Sequence, residues 1–133
     1  MTGEKDLSIL LQSMKPELNK GEYVFCTVEK LPEIETKDIV CFFREKEGLT
    51  LIIRKELADQ FQLSYGFVAS WITLKIHSSL EAVGLTAAFS KALTSKNISC
   101  NVVAGYFHDH IFVSVHDAEA AIKELNRLSE QGY

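Results

Sequence analysis

The sequence lacks the features of secreted, membrane-spanning and nucleic-acid-binding proteins. Its 133 residues contain no apolar run near the roughly 20 residues that a membrane helix needs. The N-terminus has no apolar signal-peptide core, so we expect a cytoplasmic protein. The formal net charge is −4 and there is no basic run. We therefore expect neither nucleic acid nor an anionic membrane as a partner.

The sequence also has few cysteines and lacks common motifs of enzyme active sites. The three cysteines, Cys26, Cys41 and Cys100, lie far apart without CxxC spacing, which argues against a disulfide framework or a zinc-thiolate site. No GxSxG, P-loop or GxGxxG pattern is present. We expect no catalytic residue and no cofactor. The 47% apolar content is nevertheless enough for a folded core, in one domain or in two small ones that share it.

The first half of the chain alternates between helical and strand-like patterns. Apolar residues at helical spacing over 6–14 predict an amphipathic helix, capped by Asp6 and ended before Pro16. Aromatic and β-branched runs predict strands at 22–28, 39–44 and 49–53, with a hairpin turn at 46–48 and a short helix at 57–61.

The second half has a clearer order. Residues 72–77 alternate as a half-buried strand does, and Ser78 with Glu81 has the spacing of a capping box that starts a helix to about Ser95. A hairpin over 97–115 and a final helix from Asp117 complete the order β-α-β-β-α. This is nearly the plan of a ferredoxin-like fold, but it lacks the last strand. We expect the first half to supply that strand, with residues 23–28 as the candidate.

Three segments carry a resemblance to a known family. Residues 72–88, ITLKIHSSLEAVGLTAA, resemble the first strand, loop and helix of an ACT domain, and residues 98–113, ISCNVVAGYFHDHIFV, resemble the hairpin that follows. With FREKEGLT at 43–50, the pattern is similar to a group of small, largely uncharacterised bacterial ACT-domain proteins. The resemblance implies an α+β, ferredoxin-like architecture of two ACT-like halves, with antiparallel sheets and helices on one face. The halves are an incomplete N-terminal one, 1–66, and a C-terminal one, 67–133.

The resemblance also implies a function. ACT domains are regulatory modules that bind amino acids or related small metabolites, and they often pair their sheets side by side in dimers. The ligand commonly lies near a glycine where the first strand passes into the first helix, and a partner domain closes the site. Similar tandem domains occur in aspartate kinases and in arginine-sensing proteins. We therefore expect a non-catalytic module that binds a small molecule, an amino acid above all, and forms a homodimer.

The strand-to-helix junction is the first candidate site. A helix N-terminus offers unpaired amides and partial positive charge to a carboxylate, and the serine and threonine side chains here offer hydroxyls. A glycine near a helix start is explained by a close backbone or ligand approach. The purely structural alternative is a capping box with a glycine that lets the helix pack on the sheet. The candidate ligand residues are Ser78, Ser79, Leu80, Gly84, Leu85 and Thr86.

A histidine group is the second candidate site. His108, Asp109 and His110 lie at the hairpin turn, and His77 ends the preceding strand. The resemblance implies that His108, Asp109 or His110 contacts the ligand. The alternatives are a metal-dependent enzyme that uses the histidines and Asp109, or side chains that only bond nearby backbone. We favour the interpretation without metal, because the sequence shows no firm third ligand.

Two further positions are weaker candidates. Glu47, followed by Gly48, could meet the amino group of a ligand, although a solvated hairpin tip explains both residues as well. Asn101, on the outward side of its strand, is ambiguous in the same way. A last alternative for the whole chain is an interaction or oligomerisation module whose ligand site is vacant.

Overall fold

The computed structural model describes residues 6–76 and 83–132. The chain forms two compact units that alternate in sequence. Unit 1 contains residues up to Lys20 and from Ser70 onward, and unit 2 contains Gly21–Ala69. No helix in the described parts of the chain is long and apolar enough to cross a membrane. The division into sequence halves at residues 66 and 67 stays a prediction.

Within residues 6–76 and 83–132 the chain forms four helices and seven strands. Their bounds are α1 Leu7–Ser13, β1 Lys15–Leu18, β2 Tyr23–Val28, β3 Ile39–Arg44, β4 Leu49–Arg54, α2 Lys55–Gln60, β5 Val68–Lys75, α3 Leu85–Ser95, β6 Asn101–Ala104, β7 Asp109–Ser114 and α4 Ala118–Gln131. Short 3₁₀ turns at Thr36–Asp38 and Val115–Asp117 precede β3 and α4.

Unit 1 has the strand order β1-β5-β7-β6. β1 is antiparallel to β5, and β6 is antiparallel to β7. Contacts from Trp71 to Phe112 and from Thr73 to His110 show that β5 and β7 also run in opposite directions. Because α3 and α4 follow β5 and β7, this is the split βαβ arrangement of a ferredoxin-like fold. The α+β, ferredoxin-like expectation is confirmed.

One face of the unit 1 sheet carries the hydrophobic core. Ile72, Leu74 and Ile76 alternate along and just beyond β5, and all are at most 4% exposed. They pack with Met14, which follows α1, and with the apolar side chains of α1, α3 and α4, namely Leu10, Leu11, Leu85, Ala88, Phe89, Ala92, Leu93, Ala121, Leu125 and Leu128. The helices therefore cover one face of the sheet, and the alternate residues of β5 point to the other face.

The strand that completes unit 1 is β1, which we did not predict as a strand. It pairs with the end of β5 from Lys15 opposite Lys75 to Leu18 opposite Ile72. The prediction that Tyr23–Val28 fills this place is wrong. That segment, β2, pairs along its whole length with β4 and reaches β5 only at Val68 and Ala69. The stronger β-propensity of β2 therefore did not decide which segment fills this edge of the sheet.

The predicted Asp6 cap is confirmed, and the helix predicted in the second half begins later than expected. Asp6 accepts hydrogen bonds from the Ser8 and Ile9 amides, as predicted for an N-cap. The helix expected to begin at Ser78 instead begins at Leu85 as α3. Gly84 is its N-cap residue, with φ of 96°, a left-handed conformation that side chains disfavour. The predicted capping-box pair, Ser78 and Glu81, lies outside the described residues.

Unit 2 is built around the predicted hairpin of β3 and β4. β4 lies between β3 and β2, and its inward residues Leu51 and Ile53 pack with Val24, Cys26 and Ala58. Gly48 is required by packing, because a Cβ there would stand 2.9 Å from Thr27 Oγ1 and 3.2 Å from the Val28 carbonyl oxygen. The glycine of the hairpin turn thus has a structural explanation within unit 2.

Candidate functional site

The start of β7 meets the end of β5 at one edge of unit 1. His108 Nδ1 lies 3.3 Å from the Ile76 carbonyl oxygen. The turn before it is tight, since the Gly105 amide donates to the His108 carbonyl oxygen at 2.9 Å. A Cβ on Gly105 would lie 2.9 Å from that same oxygen. The hairpin turn is therefore held next to the end of β5.

Asp109 lies at this place and is buried. It is the first residue of β7, pairs with Ala104 across the hairpin and is only 8% exposed. Strand alternation puts its side chain on the same face as Ile111, which is the core face. Burial raises the pKa of the Asp109 carboxyl, and the nearby His108 opposes the rise. We find no group in the described parts of the chain that donates a hydrogen bond to this carboxylate.

His110 points to the opposite face of the sheet. Its Nδ1 lies 3.0 Å from Trp71 Nε1 and 3.1 Å from Thr73 Oγ1. Asn19 Nδ2 donates to the same Thr73 hydroxyl oxygen at 2.9 Å. Trp71 also stacks on Phe112, with ring centroids 6.1 Å apart. The structure thus separates His110 from Asp109, although the two are neighbours in sequence.

The hydrogen bonds fix the protonation state of His110. An indole N–H can only donate, so Nδ1 must accept and the proton of the neutral ring is on Nε2. Burial lowers the pKa of His110, and the nearby His108 lowers it further. The imidazole is therefore a neutral acceptor that holds the tryptophan in place.

Acidification is expected to weaken unit 1 through His110. Its folded pKa is below the unfolded value of about 6.5, so the unfolded chain binds the proton more readily. The stabilisation is complete above pH 6.5 and is lost as the pH falls towards the folded pKa, with a slope of up to about 1.4 kcal/mol per pH unit. Urea unfolding between pH 7.5 and 5, followed by the fluorescence of Trp71, measures this.

The substitution His110→Asn tests whether His110 causes this loss of stability at low pH. His110→Asn keeps an acceptor near the Nδ1 position but cannot titrate, so the pH dependence of the unfolding free energy should flatten below pH 6.5. The exposed His116 provides a matched control, and His116→Asn should leave the slope unchanged. An unchanged slope in His110→Asn would show that another group causes the acid sensitivity.

The N-terminus of α3 follows β5 in sequence, beyond residues 77–82, which lie outside the described residues. Gly84 makes no side-chain cap bond to the first amides of the helix. Thr86 is exposed in the first turn, while Leu85 is 3% exposed and belongs to the core. A Cβ on Gly84 would lie 3.3 Å from Leu7 Cδ2. These amides can receive an anionic group from solvent, as helix N-termini do.

The remaining candidates fall in three places. Ser78, Ser79, Leu80 and His77 lie outside the described residues. Asn101 lies opposite Phe112, whose carbonyl oxygen accepts its Nδ2 at 3.3 Å. Asp109 precedes Phe112 by three residues on β7. Asn101 therefore lies about 10 Å along the sheet from Asp109 and on the opposite face. The exposed Glu47 and the half-buried Gly48 belong to the hairpin of unit 2.

The described residues offer no cluster of three or more histidine, cysteine, aspartate or glutamate side chains that could hold a metal ion. His77, which the metal alternative also used, is not among the residues searched. All three cysteines are free, and burial raises the pKa of the Cys100 thiol to about 11. A thiol with that pKa is a poor nucleophile at neutral pH.

Two features of α4 in unit 1, a buried ion pair and a groove, were not predicted from the sequence. Glu124 on α4 is 3% exposed and binds Arg127 through both oxygens at 2.7–3.0 Å, which lowers the pKa of the Glu124 carboxyl. A groove of about 680 Å³ runs between β1 and α4 and passes Leu18 and Ile122. The sequence could not indicate this groove, because β1 was not recognised as a strand.

Two family models describe most of the chain. An ACT domain matches residues 2–70, and a second ACT domain matches residues 67–127. The two matches agree with the resemblance noted in residues 43–50, 72–88 and 98–113. No curated protein matches the chain.

Solved structures show the same fold. A protein of unknown function from Vibrio cholerae, described as a possible transport protein, is 48% identical with a TM-score of 0.81, and the match covers 94% of this chain and 97% of that one. A protein from Agrobacterium tumefaciens is 16% identical with a TM-score of 0.68 over 87% and 89% of the two chains. The ligand-free regulatory subunit of aspartate kinase from Thermus thermophilus is 8% identical with a TM-score of 0.58 over 84% and 95%. Since one ACT match alone spans residues 2–70 of 133 and the second extends to residue 127, the protein belongs to the ACT-domain family.

Proposed function

We propose that the protein is a non-catalytic regulatory module that binds an amino acid or a related small metabolite where β5 leads into α3. The observation that carries this proposal is the contact that brings the turn before β7, next to the buried Asp109, to the end of β5, the strand that precedes α3 in sequence. The first amides of α3 have no side-chain cap from Gly84, and the Asp109 carboxylate is buried. Amides at a helix N-terminus suit a carboxylate, and a carboxylate suits an ammonium group. An amino acid carries both.

The family supports a regulatory role over a catalytic one. None of the candidate site residues in the described part of the chain is an activated nucleophile. The raised pKa of Cys100 keeps its thiol neutral. One similar structure is the regulatory subunit of an aspartate kinase. That regulatory role belongs to the aspartate kinase subunit. For this chain, the proposal is that a bound ligand changes the affinity for a partner. It can do so only if it binds two conformations with different affinity.

The proposal includes a cytoplasmic homodimer as the working form. Three free cysteines are compatible with a reducing compartment. In a dimer, a second copy could close the ligand site, as the family resemblance implies. Sedimentation of the ligand-free protein at twice the 14.9 kDa chain mass is the expected result, and a monomer at all concentrations would contradict the dimer.

A thermal-shift screen against the amino acids tests the binding function. A ligand at 100 times its dissociation constant should add about 2.7 kcal/mol to the free energy of unfolding. We expect one amino acid, or a small related group, to raise the melting temperature in a saturable way. Glycerol and sodium chloride at the same concentrations are the controls for nonspecific stabilisation.

A negative result in the thermal-shift screen would exclude amino-acid binding as the function. That result is no rise in melting temperature with any amino acid at millimolar concentration. The alternative of an interaction module with a vacant site would then be the better account of the chain.

A further inference from the structure

The outer edge of β1 has no strand beside it within the described residues, where β1 pairs only with β5. The Asn19 amide donates to the Trp71 carbonyl oxygen, and successive residues of a strand point their backbone groups to opposite sides. By this alternation, Leu18 and Pro16 direct their backbone groups away from β5. Leu18 therefore presents an amide donor and a carbonyl acceptor at the outer edge, while Pro16 presents a carbonyl alone.

The side chains at this edge form one wall of the groove between β1 and α4. Leu18 lies opposite the core residue Ile72, so Leu18 and Pro16 share the helix-covered face of the sheet. Leu18 is 49% exposed, and the half-buried Ile122 lines the same groove. A strand added along β1 would therefore direct every second side chain into the groove, next to these apolar residues.

The charged residues that line the groove differ in how far they are neutralised. Arg127 is bound to Glu124 through three hydrogen bonds. Lys123 is exposed on the same side of α4 and forms no ion pair within residues 6–76 and 83–132. Glu119 and Glu130 lie before and after it on the helix, towards the two ends of the groove. An occupant fits these charges when it brings a carboxylate to the middle of the groove.

A second copy of β1 fits this edge poorly. Antiparallel pairing of β1 with itself along its length would place Pro16 opposite Leu18, and Glu17 opposite its own counterpart. Pro16 has no amide for the Leu18 carbonyl oxygen, and like charges directly opposite each other are destabilising. The groove-facing residues of such a strand, proline and leucine, would also leave Lys123 without a carboxylate. The edge therefore favours a strand of different sequence.

We infer that the outer edge of β1 and the groove beside α4 bind an extended segment of another protein, which adds to the sheet as an antiparallel strand. The segment carries an apolar residue opposite Leu18 and an acidic residue opposite Pro16, where its carboxylate pairs with Lys123. Its backbone bonds both backbone groups of Leu18 and the Pro16 carbonyl oxygen. The inference goes beyond the proposed ligand site and does not depend on it, and it gives the regulatory module a surface for a partner.

The first arm of the test adds a synthetic peptide of this pattern, TVTLKETV, to the full-length protein. Its leucine is designed to lie opposite Leu18, its glutamate opposite Pro16, and the lysine between them opposite Glu17, which gives a favourable cross-strand charge pair. We expect saturable amide NMR shifts in residues 15–19 and 119–130. The Leu18 amide should shift most, because it gains a hydrogen bond.

Methylation of single peptide nitrogens separates strand addition from simple contact with the groove. Methylation of the leucine nitrogen should weaken binding by about tenfold or more, because that amide donates to the Leu18 carbonyl oxygen. Methylation of the next nitrogen, that of the lysine, is the matched control. That amide points away from β1 in an antiparallel pair, so the affinity should change by about twofold or less.

The second arm reverses the charge in the groove. Lys123→Glu should weaken the binding of TVTLKETV by about fivefold or more, and should instead favour TVTLKKTV, in which lysine replaces the glutamate. Lys46→Glu is the matched control, because it changes the net charge equally but lies in the exposed hairpin turn of unit 2. Its affinity for both peptides should equal that of the wild type.

Strand addition requires both the leucine amide and the charge pair. Absence of saturable binding, or equal weakening by the two methylations, overturns the inference. Equal affinity of the two peptides for the wild type and for Lys123→Glu overturns it as well. If TVTLKETV does not bind and Leu18→Asp converts a dimer into a monomer in sedimentation, a second copy occupies the edge and the inference is wrong. None of these results changes the thermal-shift screen, so the proposed amino-acid function is tested separately.

Discussion

A chain that starts at residue 21 is expected to lose the fold of unit 1. The missing segment supplies α1 and β1, and with them Leu10, Leu11 and Met14, all at most 5% exposed in the core. Each such side chain contributes about 2–5 kcal/mol when truncated to alanine. Their combined loss is comparable with the whole stability of a typical domain, about 5–15 kcal/mol.

Hydrogen bonds tie the same segment to the sheet and to α4. The Asn19 amide donates to the Trp71 carbonyl oxygen at 2.9 Å, and Ser129 Oγ donates to the Met14 carbonyl oxygen at 3.0 Å. Loss of β1 also leaves one edge of β5 unpaired from Ile72 to Lys75. We expect the shortened chain to show poor dispersion of its amide NMR signals from residues 70–132.

Addition of the missing segment as a peptide provides the control. A peptide of residues 6–20, in excess, should restore the dispersed signals of unit 1, because it brings both the core side chains and the edge strand. The same peptide with Leu10→Asp and Met14→Asp should not. If the shortened chain retains dispersed signals on its own, β1 and α1 are dispensable and the description of unit 1 is wrong.

Phe89→Ala is expected to be the most destabilising single truncation on α3. Phe89 is fully buried, among the largest such side chains, and it belongs to the core that α3 shares with the sheet. Its removal leaves a cavity, and the expected loss is about 3–5 kcal/mol in the free energy of unfolding. Urea denaturation with an unchanged slope measures that loss.

An exposed residue on the same helix provides the comparison. Thr94→Ala should change the free energy of unfolding by no more than about 0.5 kcal/mol. A loss below about 1 kcal/mol for Phe89→Ala would show that α3 is not packed on the sheet in solution as described. The position of the α3 N-terminus at the junction would then lose its support.

Local sequence patterns correctly predicted the helices and strands that depend on interactions between nearby residues. The strict alternation of residues 72–77 identified the second half of β5, and the apolar spacing with Asp6 identified α1 and its cap. Both depend on interactions between residues a few positions apart. The hairpin of β3 and β4 is of the same kind, because its turn at residues 46–48 joins the strands directly.

Long-range pairing was not predictable in this way. β1, with the sequence KPEL, has low β-propensity and contains a proline, which suits only an edge strand. It is a strand because α1 packs in the core and delivers it to the free edge of β5. The start of α3 was misplaced for a related reason. The Ser78 and Glu81 spacing is a good local signal, but the left-handed backbone of Gly84 sets the helix start.

The candidate ligand residues stay a prediction, and the structure shows only where the described ones lie. The hairpin turn at His108 lies next to the end of β5. The sequence could not show that Asp109 lies on the core face while His110 bonds Trp71 on the other. That distinction depends on which residue of the turn begins β7, and a shift by one residue reverses both faces. Asn101 was grouped with them, although its strand pairing places it further along the sheet.

An amide NMR titration of the full-length protein, with the amino acid that the thermal-shift screen selects, tests the proposed ligand site most directly. We expect saturable shifts to concentrate at Gly84, Leu85 and Asp109. The hairpin turn of unit 2 at residues 45–48 should shift much less. Shifts that map instead to the groove between β1 and α4, or that do not saturate, would contradict a ligand site at this junction.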